Sequence, residues 1–233
     1  MARSRTIGLL GGMSWESTAL YYRLLNIGMQ RELGGHHNAR SLLLTLDYDD
    51  LDTMASAGDW DGIAAALIDA ARRVEGGGAD FLMITAITGH AVAERVEAAL
   101  SIPLLHAADV AGEKLRAEGY RRVGLLGTRF TMSMDFFTAR LRGRHGLEIL
   151  VPEENDREAI HRIIIDELTL GRVEPESQAS VLEIAARLQA AGAEALLLAC
   201  TELPLLLPTE RYSLPTYDVV KLHAEAAIAW AIR

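Results

Sequence analysis

Two rhythms of apolar residues alternate along the chain. Short, nearly continuous runs at Thr6–Leu10, Leu42–Leu46, Phe81–Thr85, Pro103–His106, Val123–Leu126, Leu147–Val151, Ala195–Cys200 and Leu214–Tyr217 read as strands. Longer stretches between them place apolar residues at helical spacing. Trp60, Ile63, Leu67, Ala71 and Val74 form one such stripe, and Val181, Ile184, Ala185 and Leu188 another. Strands without polar alternation, separated by amphipathic helices, predict parallel sheet covered on both faces, so the fold class is α/β. In such sheets ligands collect beyond the carboxyl ends of the strands.

The pattern also repeats. Residues 5–25, RTIGLLGGMSWESTALYYRLL, resemble residues 121–141, RRVGLLGTRFTMSMDFFTARL, at an offset of 116. GADFLMITAIT from Gly78 matches GAEALLLACTE from Gly192 at an offset of 114. Each copy runs from a basic residue through a strand to Gly11 or Gly127, then into a helix with paired aromatics, Tyr21–Tyr22 or Phe136–Phe137. Two pseudo-symmetric parallel-sheet α/β domains are expected, with the active site in the cleft between them. Residues 1–102 plus 215–233 form the first and residues 103–214 the second. Under this register Ala86 corresponds to Cys200.

Composition narrows the chemistry. The 233 residues carry 23 Lys and Arg against 32 Asp and Glu, a net charge of −9. That balance argues against a nucleic-acid partner, which would normally require a basic stripe. The densest basic segment, residues 139–145, reads as a solvated helix end. No apolar run approaches the roughly 18–20 residues of a membrane helix. A single cysteine allows no internal disulfide, and a cytoplasmic location is expected. GLLGGMSW lacks the dinucleotide fingerprint, and His36–His37 has no third ligand at useful spacing, so neither a cofactor nor a metal is expected. No G-x-S-x-G elbow is present. Asp47, Asp49 and Asp50 read as a solvated acidic turn, and the Tyr21–Tyr22 pair as helix packing.

Cys200 is the most informative single residue. It ends a strand and enters a turn, where backbone N–H groups could favour the thiolate; the alternative is a buried, inert cysteine. A reactive thiolate would alkylate faster with iodoacetamide than a denatured control. Beyond the corresponding strand, His90 reads either as an acid or base or as a structural cap. Ser14, Thr88, Thr128 and Thr201 read as helix N-caps, or as hydroxyls converging on a carboxylate.

Taken together, these segments resemble the aspartate/glutamate racemase family over essentially the whole chain. The resemblance rests on GLLGGMSWESTALYYRLLN (8–26), LLGTRFTM (125–132), ACTELPLLL (199–207) and YDVVKLHAEAA (217–227), and is strongest for the broad-specificity subgroup. It implies a cofactor-independent, often homodimeric amino-acid racemase in which two cysteines work on opposite faces of the substrate Cα. Cys200 would be the second of these, serving the L-enantiomer, with Thr201 and Glu202 completing its motif. The first motif, cysteine-asparagine-threonine-x-histidine in the family, is here Ala86-Ile87-Thr88-Gly89-His90, so the first thiol is replaced by a methyl group. Gly12, Met13, Thr88, Thr128, Thr131, Thr201 and Glu202 would bind a small anionic amino acid or related carboxylate. Thr85 and His90 would be candidate proton relays. Arg40 and Arg129 are candidates for reading a side-chain carboxylate, and Ile87 would make the first wall more apolar. The expected enzyme is asymmetric. Its alternatives are a one-cysteine decarboxylase or isomerase of a small diacid, and an inactive ligand-binding homologue.

Overall fold

A computed structural model describes residues 4–207 and 212–233. The chain divides into two compact units, Met1–His106 with His223–Arg233, and Ala107–Leu222. The first runs β1 (Ile7–Gly11), α1 (Trp15–Leu33), β2 (Ser41–Thr45), α2 (Tyr48–Ser56), α3 (Trp60–Gly76), β3 (Phe81–Ile84), a 3-10 turn over Thr88–Val92 and α4 (Ala93–Ala98). The second runs α5 (Ala107–Ala117), β4 (Arg122–Gly127), α6 (Arg129–Ser133), α7 (Asp135–His145), β5 (Glu148–Leu150), α8 (Glu154–Asp166), α9 (Pro175–Ala190), β6 (Ala195–Ala199) and β7 (Thr216–Asp218). Finally α10 (Val219–Ile232) returns the chain to the first unit. No helix among the described residues is long and apolar enough to cross a membrane.

All strand pairs are parallel, in the orders β2-β1-β3 and β5-β4-β6-β7. Replacing β1, β2 and β3 by β4, β5 and β6 turns the first order into the start of the second. The duplication extends to individual residues. Gly8 pairs with Leu82 as Gly124 pairs with Leu196. A Cβ on Gly8 would meet Val74 of α3 at 2.6 Å, and one on Gly124 would meet Leu188 of α9 at 3.1 Å, so each unit packs a helix tightly on its central strand. Asp80 accepts from the Thr6 N–H, and Glu194 from those of Arg121 and Arg122, latching the start of β1 and of β4. Gly78 and Gly192, the residues leading into those latches, both have left-handed φ, 94° and 96°.

Several expectations change. Pro103–His106 forms no full strand; it makes one bridge, Leu82 to Leu104, and Pro103 has no N–H to extend the ladder. That bridge keeps the segment with the first unit. The return to the first unit starts at His223 and not at 215, because β7 is hydrogen-bonded to β6 through the Leu196–Thr216 pair. Behind His223, α10 is held by the Arg5 N–H on the Ala231 carbonyl and by Trp230 against Phe81. β2 is an edge strand with Leu43 45% exposed, so sheet burial on both faces fails there. Asp47, Asp49 and Asp50 do not form a loop: Asp47 caps α2 by accepting from the Asp49 N–H. The basic end of α7 is only partly solvated. Arg140 is buried and grips Asp109 of α5 with two hydrogen bonds of 2.8 and 2.7 Å, joined by Arg144 and His145.

Candidate active site

The carboxyl ends of β1 and β3 in the first unit are tied into one block by hydroxyl groups. Gly12 turns the chain at φ +88°, where a Cβ would lie 2.0 Å from the Leu46 carbonyl oxygen, so only glycine fits. Its N–H donates to Thr18 Oγ1 (3.0 Å). The Thr18 hydroxyl is 3.1 Å from that of Thr85, and Ser17 donates to the Thr85 carbonyl. Thr85 is fully buried, and its hydroxyl proton goes to the Leu10 carbonyl (3.0 Å). It therefore fastens two strand ends and does not face outward as a proton relay. Met13 packs on Gly89, whose missing Cβ would sit 2.9 Å from its sulfur, so the two strand-end loops touch. Ala86 is half-buried at the rim of this block, and Ile87 is buried.

His90 supports the same turn from beneath. A carbonyl only accepts, so the 3.0 Å contact between His90 Nδ1 and the Ala86 oxygen commits the Nδ1 proton to the backbone. Its ring lies edge-on to His106 (4.6 Å) and His223 (5.8 Å). His223 in turn donates from Nε2 to the Leu105 carbonyl (2.8 Å) and accepts at Nδ1 from the Tyr21 hydroxyl (3.0 Å). Burial, and then the neighbouring His90 imidazole, hold His223 down at about 3. His90 is thus placed as a support of the Ala86 turn.

In the second unit, Thr128 caps α6 by accepting from the Thr131 N–H (3.4 Å), and the two hydroxyls are 3.2 Å apart. Thr131 is fully buried, which makes it a positioner of Thr128. Arg129 is engaged by Glu158 of α8 (3.6 Å) and lies over the Phe130 ring. Arg40 precedes β2 at the amino end of its sheet, with its carbonyl accepting from the Ile7 N–H, opposite the end where ligands gather. That position removes Arg40 as a reader of a substrate carboxylate. Of the expected N-caps, Ser14 and Thr128 cap helices by their side chains. Thr88 does not, because the 3-10 turn opens at Ile87 without a side-chain bond. Thr201 precedes a turn capped at Glu202 and directs its hydroxyl to that residue's carboxylate.

Cys200 follows β6 directly and is 7% exposed. Its thiol donates to Glu202 Oε2 at 3.0 Å, and Thr201 Oγ1 donates to the same oxygen at 2.5 Å. Burial, then the charge and hydrogen bond of Glu202, push the thiol well above its ordinary range. The expected backbone N–H groups are present, from Glu202 and Leu203, and pull downward, but they are outweighed. The resting sulfur is a protonated thiol. Iodoacetamide should therefore modify it more slowly than a denatured control, the reverse of the expectation for an exposed thiolate.

A family model for Asp/Glu/hydantoin racemases matches residues 10–227. The chain belongs to that family. It is 38% identical to a Yersinia pestis protein designated provisionally an Asp/Glu racemase, covering 98% of this chain and 100% of that one, with a TM-score of 0.94. It is 30% identical to an aspartate racemase homologue from Pyrococcus horikoshii, covering 98% and 100%, with a TM-score of 0.84. Over 106 residues it is 28% identical to the broad specificity amino-acid racemase RacX of Bacillus subtilis, a stretch that is 46% of this chain and 45% of RacX, under half of that enzyme's length. Membership supports a racemase-type function.

Within this racemase-family frame, sequence reasoning passed over His223 and His161. His223 sits inside the closing motif, yet nothing in VVKLHAEAA marks it as a core residue. His161 of α8 stacks against Phe130 of α6 (6.0 Å), beside the Thr128 turn. Its signal was a lone histidine on an amphipathic helix, which is indistinct without the packing.

Proposed function

We propose that the protein is a cofactor-independent racemase-type enzyme acting on the α-proton of an acidic amino acid of the aspartate/glutamate class. In this reading Cys200 is the catalytic thiol. Its thiolate takes the α-proton, and the C–H electron pair passes to Cα and the adjacent carboxylate. Gly12 and Met13 at the β1 turn, with Thr88, Thr128, Thr201 and Glu202, hold the substrate. At the strand end corresponding to Cys200, Ala86 offers a methyl group and can move no proton, so the chemistry is one-sided, with the L-enantiomer favoured. The observation that carries the reading is the Cys200–Glu202–Thr201 cluster at the carboxyl end of β6. A thiol with a hydrogen-bonded carboxylate at a strand end is a proton-transfer device.

The test is chiral chromatography of L- and D-aspartate, L- and D-glutamate and several neutral amino acids incubated with wild type and Cys200→Ser. Interconversion or one-sided α-exchange of an acidic pair, absent in the variant, is the expected result. Activity confined to neutral amino acids would move the substrate class. The same reading has the enzyme cytoplasmic and homodimeric, so light scattering should give about twice the chain mass.

One observation favours a second reading. A thiol that rests protonated is first a proton donor, as a one-cysteine decarboxylase requires: the C–C bond to a carboxylate breaks, carbon dioxide leaves, and the carbanion takes the thiol proton. Carbon dioxide release from a substituted malonate, without amino-acid exchange, would select it.

A further inference from the structure

We propose that Glu202 is the proton partner of Cys200, taking the thiol proton when the sulfur must act as a base and returning it when the thiol must be restored. The inference rests on the functional reading above and assigns Glu202 a role in proton transfer beyond holding substrate.

Among the described residues, the thiol proton is directed to a carboxylate oxygen. Glu202 Oε2 is 3.0 Å from Sγ. The other polar groups acting on the sulfur are the backbone N–H groups of Glu202 and Leu203, which donate and cannot accept. Cys200 otherwise belongs to an apolar cluster with Leu126, Met132, Leu203, Leu206 and Leu214. Of the neighbouring elements, Tyr212 brings a neutral phenol to that cluster, Arg129 of α6 is engaged by Glu158 of α8, and His161 lies on Phe130. Among the described residues, Glu202 is therefore the charged group that acts on this thiol. The sulfur is buried, whereas Glu202 is partly exposed, so the carboxylate also bridges the sulfur and solvent. The Thr201 hydroxyl, 2.5 Å from the same oxygen, fixes the carboxylate's orientation.

The step balances without a co-reactant. The S–H bond breaks as an O–H bond forms at Oε2, leaving the electron pair on sulfur. The thiolate then forms a new S–H bond with the α-proton while the C–H pair stays with the substrate. In reverse, the thiol gives its proton to Cα and Glu202 re-protonates the sulfur. Glu202 thus does two opposed things: it keeps the resting thiol protonated, and it is the route by which the proton leaves. Removing its charge should make the thiol more acidic and the enzyme slower, a pairing that a purely structural role would not produce.

The full-length protein suits the test because Cys200 is its single cysteine, so alkylation reports one sulfur. Wild type, Glu202→Gln and Glu202→Asp would be compared in two assays: iodoacetamide rate against pH, and α-proton loss from L-glutamate in D₂O. For Glu202→Gln the alkylation midpoint should fall by about one pH unit or more, as expected when a neighbouring like charge is removed. Its kcat for exchange, measured at saturating substrate, should nonetheless drop about 10²-fold or more. Glu202→Asp, which keeps the charge but withdraws it from the sulfur, should be intermediate in both assays, and it carries the same readouts if the glutamine variant does not fold. An unchanged midpoint overturns the proposal, as does a Glu202→Gln enzyme that exchanges as fast as wild type. If wild type exchanges no α-proton, the functional reading is what fails, and the alkylation midpoints decide the Glu202–Cys200 partnership alone.

Discussion

Acid should unlatch the first unit through His223. The imidazole is fully buried, donates to the Leu105 carbonyl and accepts from Tyr21, so its folded form is neutral. Its folded value of about 3 lies below the ordinary 6.5 because burial and His90 penalise the cation. A basic group with a depressed folded value takes up its proton more readily in the unfolded chain. The stability it confers is therefore complete above pH 6.5 and is lost as pH falls toward 3. Between pH 7.5 and 4.5 that loss is about 2.7 kcal/mol, at 1.36 kcal/mol per pH unit of linked protonation. The comparison protein is His223→Leu in a Tyr21→Phe background, which removes the titrating ring together with the hydroxyl that would be orphaned. Urea unfolding followed by tryptophan fluorescence reads the correct unit, because Trp15, Trp60 and Trp230 all lie in the first one. Wild type should lose about 2.7 kcal/mol more than the double variant on going from pH 7.5 to 4.5. Equal losses would refute the claim that His223 is held neutral by its surroundings.

Other perturbations have equally definite outcomes. Gly12→Ala places a Cβ against the Leu46 backbone at a left-handed φ and should cost at least about 1–3 kcal/mol, seen as a lower melting temperature. Asp109→Asn leaves the buried Arg140 guanidinium without its counter-charge; a loss of about 3 kcal/mol and faster amide exchange across α5 and α7 are expected. The Asp109 carboxyl is pushed up by burial but brought below its usual range by Arg140, His145 and Arg144, so this clamp should also weaken as pH falls through that lowered value. Ala86→Cys restores a thiol at the strand end corresponding to Cys200 and should raise full racemisation by about 10²–10⁴-fold in a chiral assay. No gain would argue against a proton-transfer role for that position.

Much of the fold was legible because parallel strands buried on both faces leave unbroken apolar runs, and because the duplication kept its glycines and acid latches in register. Gly8 with Gly124 and Asp80 with Glu194 are the same solution used twice. What periodicity could not convey was direction. Arg140 reads as one more exposed basic residue until α5 brings Asp109 against it. Leu43 reads as core until β2 turns out to be an edge strand. Arg40 lies close in sequence to a strand that contributes to the block, yet it stands at the wrong end of that strand. At the site, the order Cys-Thr-Glu exposed the chemistry but not its sign. The effect of Glu202 depends on its side chain folding back onto the sulfur, two residues away, where it opposes the thiolate that the backbone N–H groups favour. His223 became visible only once α10 packed against the first unit's core.

In the proposed reaction Cys200 moves the α-proton of an acidic amino acid on one face only. Proton NMR in D₂O, with each enantiomer of glutamate and aspartate supplied separately, tests it most directly. The α-proton signal should be lost from the L-form, at most slowly from the D-form, and from neither with Cys200→Ser. Equal exchange of both enantiomers, or exchange that survives in Cys200→Ser, would contradict it.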